Sequence, residues 1–511
     1  MADWTDGYVT DVGYICGYYG ELNPLRGRLA LLHSGFVAPE IETACELGFG
    51  QGLSVNIHAA GLPVRWHGTD FNPAQVAFAR ELATASTAKV TLSDEAFATF
   101  VQRHDLPDFD YIGLHGIWSW ISNDNRAAIV DFVRRKLKVG GLLYISYNTF
   151  PGWAAFAPLR HLMAEHADRF GAEGQGTINR INGALDFVDK FIAANPAYLR
   201  ANPHVAERFA QIKGQNRHYL AHEYFNRDWD PMHFGAFARW LEPAKVSFAC
   251  SADYMEHYDI FNLTQDQSTY LSNIPDVLFR QSVRDFLVNQ QFRRDYWVKG
   301  ARRLTPLETN ERLRSERVVL LSQRADIALK VTRSFGEIAL RPEIYEPILD
   351  LLAPHIPKTL AEIEQAVAGK GIAFNAIVGA VMVLIGVGHV APAQAPDAAA
   401  AARKRTDRLN AYLLDAARSK GQVAHLASPI TASGVQLSRF QQLFLLALRQ
   451  GRRAPSDWAE FAWQFLQLQG ERILKDGAQL ETAEQNLAEL NTQATAFAER
   501  HLPVVKALQI A

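Results

Sequence analysis

Between about positions 41 and 148, short apolar runs alternate with stretches of helical periodicity, the pattern of a parallel sheet whose strands are joined by crossover helices. The runs predict strands over residues 41–47, 64–70, 89–94, 109–115 and 142–148. Helices are expected over 53–60, 73–83, 94–104 and 123–138, the last stopped by Gly140 and Gly141. Five such units in chain order predict a doubly wound, Rossmann-like α/β core over residues 1–150.

After Trp153 the pattern turns helical and polar, with an amphipathic candidate at 184–194. Strand-like sequence returns at 245–252 (KVSFACSA) and 292–298 (FRRDYWV). The simplest topology makes residues 151–300 a helical insertion, or lid, whose late strands rejoin the edge of the same sheet. Further on, Ile327, Leu329 and Val331 alternate before an SFG turn, and Ile338 and Leu340 alternate after it, which predicts a hairpin. Helices at 343–352, 360–368 and 375–384 complete a winged-helix-like module over 301–391. The Pro/Ala-rich segment APAQAPDAAAAARKR, 391–405, has the composition of a linker to a C-terminal helical region over 406–511. There Leu480, Ala483, Leu487, Leu490, Ala494 and Phe497 recur in steps of three and four. Such a short seam is expected to pack within the chain, a homodimer through the lid or these helices being the alternative.

Composition narrows the class. The 511 residues suggest three to four units at roughly 150 per domain, and 48% hydrophobic with 21% charged residues is globular. Lys plus Arg number 52 against 54 Asp plus Glu, so the net charge of −2 offers no global attraction for nucleic acid. Cys16, Cys45 and Cys250 lack metal or CxxC spacing, so no metal is expected and a reducing compartment is. An N-terminus carrying Asp3, Asp6 and Asp11, and a longest apolar run of 13 residues at 376–388, point to a cytoplasmic protein without membrane insertion.

The sharpest chemical signal is ELGFGQG, 46–52, at the end of the first strand. Gly48, Gly50 and Gly52 permit a tight turn and close approach of a ligand, and Asp70, about 20 residues on, stands where an acid binds a ribose. The spacing is GxGxG, and Glu46 precedes it. An acid there repels a pyrophosphate and suits a cofactor with a cationic amino-acid end, which favours S-adenosylmethionine over a dinucleotide. Asp70 is followed by Phe71, and the third strand ends at Asp94 and Glu95, placed to bond an adenine amine.

ELGFGQG, GTDFNPAQ, HGIWSW and ISYNTFPGW, with YLAHEYF and DPMHFGAFARWL, resemble the bacterial class I methyltransferases that carry a methyltransferase regulatory domain, over roughly the first 300 residues. That group includes protein-lysine methyltransferases. The resemblance implies S-adenosylmethionine binding by Glu46, Gly48, Gly50 and Gly52, with Asp70 on the ribose, and an aromatic N-terminal arm near the cofactor, in which Tyr14 and Tyr18 would close over its methionine end. Phe49 stands where the frequent E-x-G-C-G-x-G form has cysteine, Gln51 takes its open position, and the glycines are intact.

In a doubly wound fold the acceptor belongs above the ends of strands four and five. Candidates for the chemistry are therefore His115, Trp118, Tyr147 and Asn148, with His222 and Tyr224 from the lid. Aromatic faces hold a sulfonium or a lysine ammonium by about 0.5–2 kcal/mol each. A lysine must lose its proton before attack, which His115, Tyr147 or His222 could relay. Each also has an ordinary reading: Trp118 as core, His115 as a hydrogen-bonded strand end, His222 as lid structure. The sequence lacks H-E-x-x-H, since Asn226 stands at the second histidine, and lacks N-P-P-[YF] after strand four. The expected activity is N-methylation of a protein lysine; O-methylation of a sugar or small molecule, and a non-catalytic cofactor-binding assembly role, are the alternatives.

Overall fold

A single sheet organises the first 300 residues of the computed structural model, which describes residues 7–13, 16–172, 174–333, 336–419, 421 and 423–511. Its strands are β1 (Thr43–Leu47), β2 (Arg65–Thr69), β3 (Val90–Ser93), β4 (Phe109–Leu114), β5 (Leu137–Asn148), β6 (Val246–Ser251) and β7 (Phe292–Lys299). They are ordered β3-β2-β1-β4-β5-β7-β6. The first five are parallel, and β7 runs antiparallel between β5 and β6. The expected return of the late strands to the sheet edge is what the chain does. All five residues of β1 are buried, as in a parallel sheet covered on both faces.

Helices α1 (Pro24–His33), α2 (Leu53–Gly61), α3 (Pro73–Ser86), α4 (Phe97–Phe100) and α5 (Asn123–Lys136) flank this sheet. Hydrophobic periodicity gives no sign of α1, although Asn23 caps it, accepting from the Leu25 N–H, and Pro24 occupies the first turn. Two expectations need correction. The helix expected over 94–104 is reduced to α4, and α5 stops before KVGG: Leu137 already pairs with Phe109, and Gly140, at φ 84°, lies where the β4–β5 register shifts. Those glycines serve a bulge in the strand, not a helix stop.

Helices α6 (Ala157–Phe170), α7 (Gly176–Ala193), α8 (Ala197–Ala201), α9 (His204–Lys213) and α10 (Arg217–Tyr224) form a cap with its own core of Trp153, Phe156, Met163, Leu185 and Phe209. α11 (Phe234–Leu241), α12 (Gln265–Ser272) and α13 (Val277–Leu287) lead back to β7.

The next unit contains α14 (Pro306–Ser315), β8 (Arg317–Leu320), a hairpin of β9 (Lys330–Arg333) and β10 (Gly336–Ala339), α15 (Pro342–Leu352), β11 (Lys358–Thr359), α16 (Leu360–Val367), α17 (Phe374–Gly386) and β12 (Val390–Ala393). The hairpin forms as expected, but the unit is organised around a separate sheet, β11-β8-β12, which sequence pattern did not reveal.

The linker expected over 391–405 is not one. Its start is β12, and α18 (Pro396–Ala416) is continuous over 21 residues. Alanine is the strongest helix former, and here Pro396 and Asp397 open the first turn, so composition misled where propensity was informative. α18 packs on α2 and α3 beside the seven-stranded sheet: Leu409 and Leu413 share a core with Leu53, Ile57 and Leu82. Gln394 Nε2 donates to the Gly61 carbonyl at 2.9 Å, and Tyr412 Oη to Glu81 at 2.7 Å. Beyond it lie β13 (His425–Ser428), β14 (Ser433–Gln436), α19 (Arg439–Arg449), α20 (Pro455–Leu468) and α21 (Ala483–Ala496). Leu490, Ala494 and Phe497 are buried in the same core as Trp458 and Phe444, with Leu480 and Leu487 half-buried against it, while Ala483 at the start of the seam is exposed.

Candidate active site

The carboxyl ends of β1, β2, β4 and β5 open into a cavity of about 820 Å³ roofed by α9 and α10. On the floor, the chain leaves β1 at Leu47 and turns through Gly48, Gly50 and Gly52, all at positive φ. A Cβ on Gly48 would run into Ile117, and one on Gly52 into Ala79 of α3, so both positions require glycine. Gly48, Gly50 and Glu46 line the cavity, whereas Gly52 lies behind it, at the N-cap of α2.

Asp70 ties this turn to β2. Its Oδ2 accepts the Gly50 N–H at 2.8 Å and its Oδ1 the Asn72 N–H at 3.0 Å. Burial raises its pKa to about 6, against the lowering effect of those two N–H groups. Glu46 is 3% exposed, and its Oε2 has no hydrogen-bond partner among the described residues. Burial, and then the charge of Asp70, lift its pKa to about 8. Two carboxyls facing one cavity, one of them unpartnered, form a site suited to a cationic group.

Phe71 and Glu95 also line the floor, with Phe97. Asp94 does not: it points outward to Arg80, 3.2 Å away, with half its side chain exposed. Asp94 is therefore not placed for the bond foreseen to an adenine amine, whereas Glu95 is in the cavity lining, with its carboxylate 3.3 Å from Arg103.

The aromatic arm enters differently from expectation. Tyr14 lies outside the described residues. Tyr18 turns away from the cavity, its hydroxyl 3.1 Å from His58 Nε2 and its ring beside His425 of the C-terminal region. Tyr19, next in sequence, lies on the cavity side and stacks on His115, with ring centroids 3.8 Å apart. Tyr8 also lines the cavity and meets the ring of Phe71 edge-on. Alternation of side chains along the arm could have separated Tyr18 from Tyr19 had its extended conformation been legible.

At the far wall, His115 Nδ1 lies 2.8 Å from the Tyr144 hydroxyl, and burial lowers its pKa to about 4, so the imidazole is neutral. Asn148, at the end of β5, is 4% exposed and lines the cavity; its Nδ2 has no partner among the described residues. Two neighbours fail to arrive. Trp118 is fully buried, its indole N–H directed at Met232 Sδ and its ring against Phe237. Tyr147 is fully buried, stacked on Phe237 and donating to Asp295 Oδ2 at 3.0 Å. Strand alternation explains both halves of the outcome: adjacent residues on β5 point to opposite faces, so Asn148 reaches the cavity and Tyr147 the core.

The roof supplies His222 and Tyr224, as expected, and also Tyr219, Glu223, Arg208 and Asp228, which sequence reading overlooked or only touched. His222 Nε2 bonds the Val12 carbonyl at 2.9 Å, and burial lowers its pKa. Trp153 lines the cavity with the Arg208 guanidinium 4.2 Å above its ring. No cluster of three metal-ligating side chains occurs among the described residues, and no described helix is long and apolar enough to cross a membrane.

A sheet ordered 3-2-1-4-5-7-6 with β7 reversed, a glycine turn after β1 and an acid after β2 define a class I methyltransferase fold. Residues 216–299 match the family described as predicted methyltransferase regulatory domain. The chain belongs to the same family as uncharacterized protein sll1526 of Synechocystis sp., 40% identical over 513 residues covering 99% of both chains. A Rickettsia prowazekii protein, RP789, is 26% identical over 295 residues, 55% of this chain and 51% of its own. The structure of PKMT2 from Rickettsia typhi in complex with AdoHcy superposes with a TM-score of 0.71 at 17% identity, over 98% of this chain and 100% of that one. The likeness therefore extends through the C-terminal regions, beyond the 300 residues that carried the sequence resemblance.

Proposed function

We propose that the protein transfers a methyl group from S-adenosylmethionine to a lysine amine of a protein substrate. The observation that carries the reading is one continuous cavity lined by acids from both sides, Glu46 and Asp70 on the floor and Glu223 and Asp228 from the roof, with Tyr219, Tyr224 and Trp153 in the same lining. The unpartnered Glu46 carboxyl and the glycine turn fit the cofactor's cationic amino-acid end, and Asp70 fits its ribose. PKMT2 was solved with AdoHcy, the product such a cofactor leaves.

When bound, S-adenosylmethionine supplies an activated methyl group on a sulfonium. The chain's own residues have three tasks. Glu223 and Asp228 draw in a cationic acceptor, and the aromatic rings hold it and exclude water. Desolvation against those rings lowers the acceptor's pKa from its ordinary value near 10.4, so that the amine becomes available. His115 and His222 line the cavity wall and are kept neutral by burial, so each can accept a hydrogen bond from the amine, but the same burial makes them weak proton acceptors. Tyr147 has no part in this step, because its hydroxyl is committed to Asp295.

Calorimetry with S-adenosylmethionine, followed by transfer of tritiated methyl groups to fractionated cell extract, tests the reading. Saturable binding that is lost in Asp70→Ala and Gly50→Val, with label recovered as methyl-lysine, is the expected result. Label entering only glycan or small molecules would replace the lysine assignment with O-methylation.

A further inference from the structure

A second cavity, of about 410 Å³, lies where the catalytic sheet meets the hairpin of the following unit. Its wall brings together Arg26 of α1, Arg294 of β7 and Arg333 of β9 with two carboxylates, Glu21 and Asp253. Lys330 also lines it but has its own partner, Glu337, at 2.8 Å. The ion pairs among the rest are specific. Arg294 donates to Glu21 and to Asp253, each at 2.7 Å, and Arg333 reaches Asp253 at 3.6 Å. Three guanidiniums thus share two carboxylates. The surplus falls on Arg26, which lies over the Tyr254 ring and whose Nε is buried without a hydrogen-bond partner among the described residues.

A buried guanidinium donor without an acceptor is costly. The planar donor fork of arginine matches an oxyanion, and two or three such forks around one cavity are the chemistry that recognises a phosphate group. We propose that this cleft binds a phosphate group, free or carried on a small molecule, with Arg26 and Arg333 as its principal contacts. It is separate from the methyl-transfer cavity, and the two share no lining residue. They are nonetheless joined: Glu21 pairs with Arg294 in the cleft and follows directly on Tyr19 and Gly20, so the segment that shapes the cleft also positions the ring stacked on His115.

The test is calorimetric titration of the full chain with inorganic phosphate and, separately, with glycerol 3-phosphate, ionic strength being held constant with chloride. Saturable binding of either is expected. Tighter binding of the ester assigns the site to a phosphorylated metabolite, and equal binding assigns it to the free ion. Arg333→Ala, on the exposed hairpin, is expected to weaken binding about tenfold, the scale of one charge-assisted hydrogen bond. Arg26→Lys removes the fork while keeping the charge and should weaken it similarly. Thermal melts report whether each variant is folded, and Arg333→Ala decides the matter if Arg26→Lys is not. Absence of saturable heat with both probes, or unchanged affinity in a folded Arg333→Ala, overturns the proposal.

Discussion

The Asp70 carboxylate holds the backbone N–H of Gly50 at 2.8 Å, so an acid that lines the cavity floor also fixes the glycine turn beside it. Asp70→Asn keeps the shape but replaces a charged acceptor with a neutral one. Hydrogen bonds to charged groups contribute about 1.5–3 kcal/mol, so S-adenosylmethionine affinity should fall roughly 10- to 100-fold. Calorimetry measures this directly; an affinity within twofold of wild type would remove Asp70 from the site.

Glu46 makes the stability of the ligand-free protein depend on pH. Its pKa is raised from an ordinary 4.5 to about 8, so the folded state keeps a proton that the unfolded chain releases. Between about pH 4.5 and 8 the unfolded state binds fewer protons, and stability falls as pH rises, by at most about 1.4 kcal/mol per pH unit for this one group. Asp70, at about 6, adds a slope of the same sign at the lower end of that window. Glu46→Gln should flatten the decline, as read by chemical denaturation at several pH values. A cationic ligand beside Glu46 restores its ionisation, so cofactor binding near pH 7 should release a proton. Titrations in buffers of different ionisation enthalpy detect that proton, and its absence in wild type would contradict the placement of the cationic group.

The two faces of β5 separate function from support. Tyr147→Phe removes one buried hydrogen bond to the Asp295 carboxylate and should cost about 1.5–3 kcal/mol of stability while leaving methyl transfer within a few-fold of wild type. Asn148→Ala, one residue on, should do the reverse. Arg293, fully buried between Asp285 and Asp295 at 2.5 and 3.0 Å, anchors the same region. Arg293→Ala strands two carboxylates and is expected to cost about 3–5 kcal/mol. Melting curves and turnover measured on the same preparations distinguish these outcomes.

What the sequence disclosed follows from the range over which each signal acts. The strands, the glycine turn and Asp70 are local patterns, and they appear where the pattern places them. The late strands joined the sheet as the simplest topology required. Which aromatic faces the cavity is a different kind of question. Tyr18 and Tyr19, or Tyr147 and Asn148, differ only in the direction of a side chain, and that direction depends on the conformation of a segment and on what packs behind it. Glu223, Asp228 and Arg208 converge on the site only because α9 and α10 fold over the strand ends, a long-range event with no local signature.

The segment around Ala391–Arg405 gives the last prediction, because composition and structure disagree there. A linker could be cut without harm to the catalytic unit. In the folded chain, however, α18 covers Leu53, Ile57 and Leu82, and Arg405 donates to the Ala60 carbonyl at 3.0 Å. Ending the chain at residue 391 would expose that apolar face of α2 and α3 and leave the Gly61 carbonyl without the Gln394 amide. Exposed apolar surface of this kind promotes association, so the truncated protein should aggregate or melt well below the full chain. Leu409→Ala, within the intact chain, should cost about 2–5 kcal/mol by opening a cavity against α2. If the truncated form instead proved monomeric and bound S-adenosylmethionine as tightly as the full chain, the C-terminal region would be an appended domain after all. Static light scattering and calorimetry on the two lengths decide between these results.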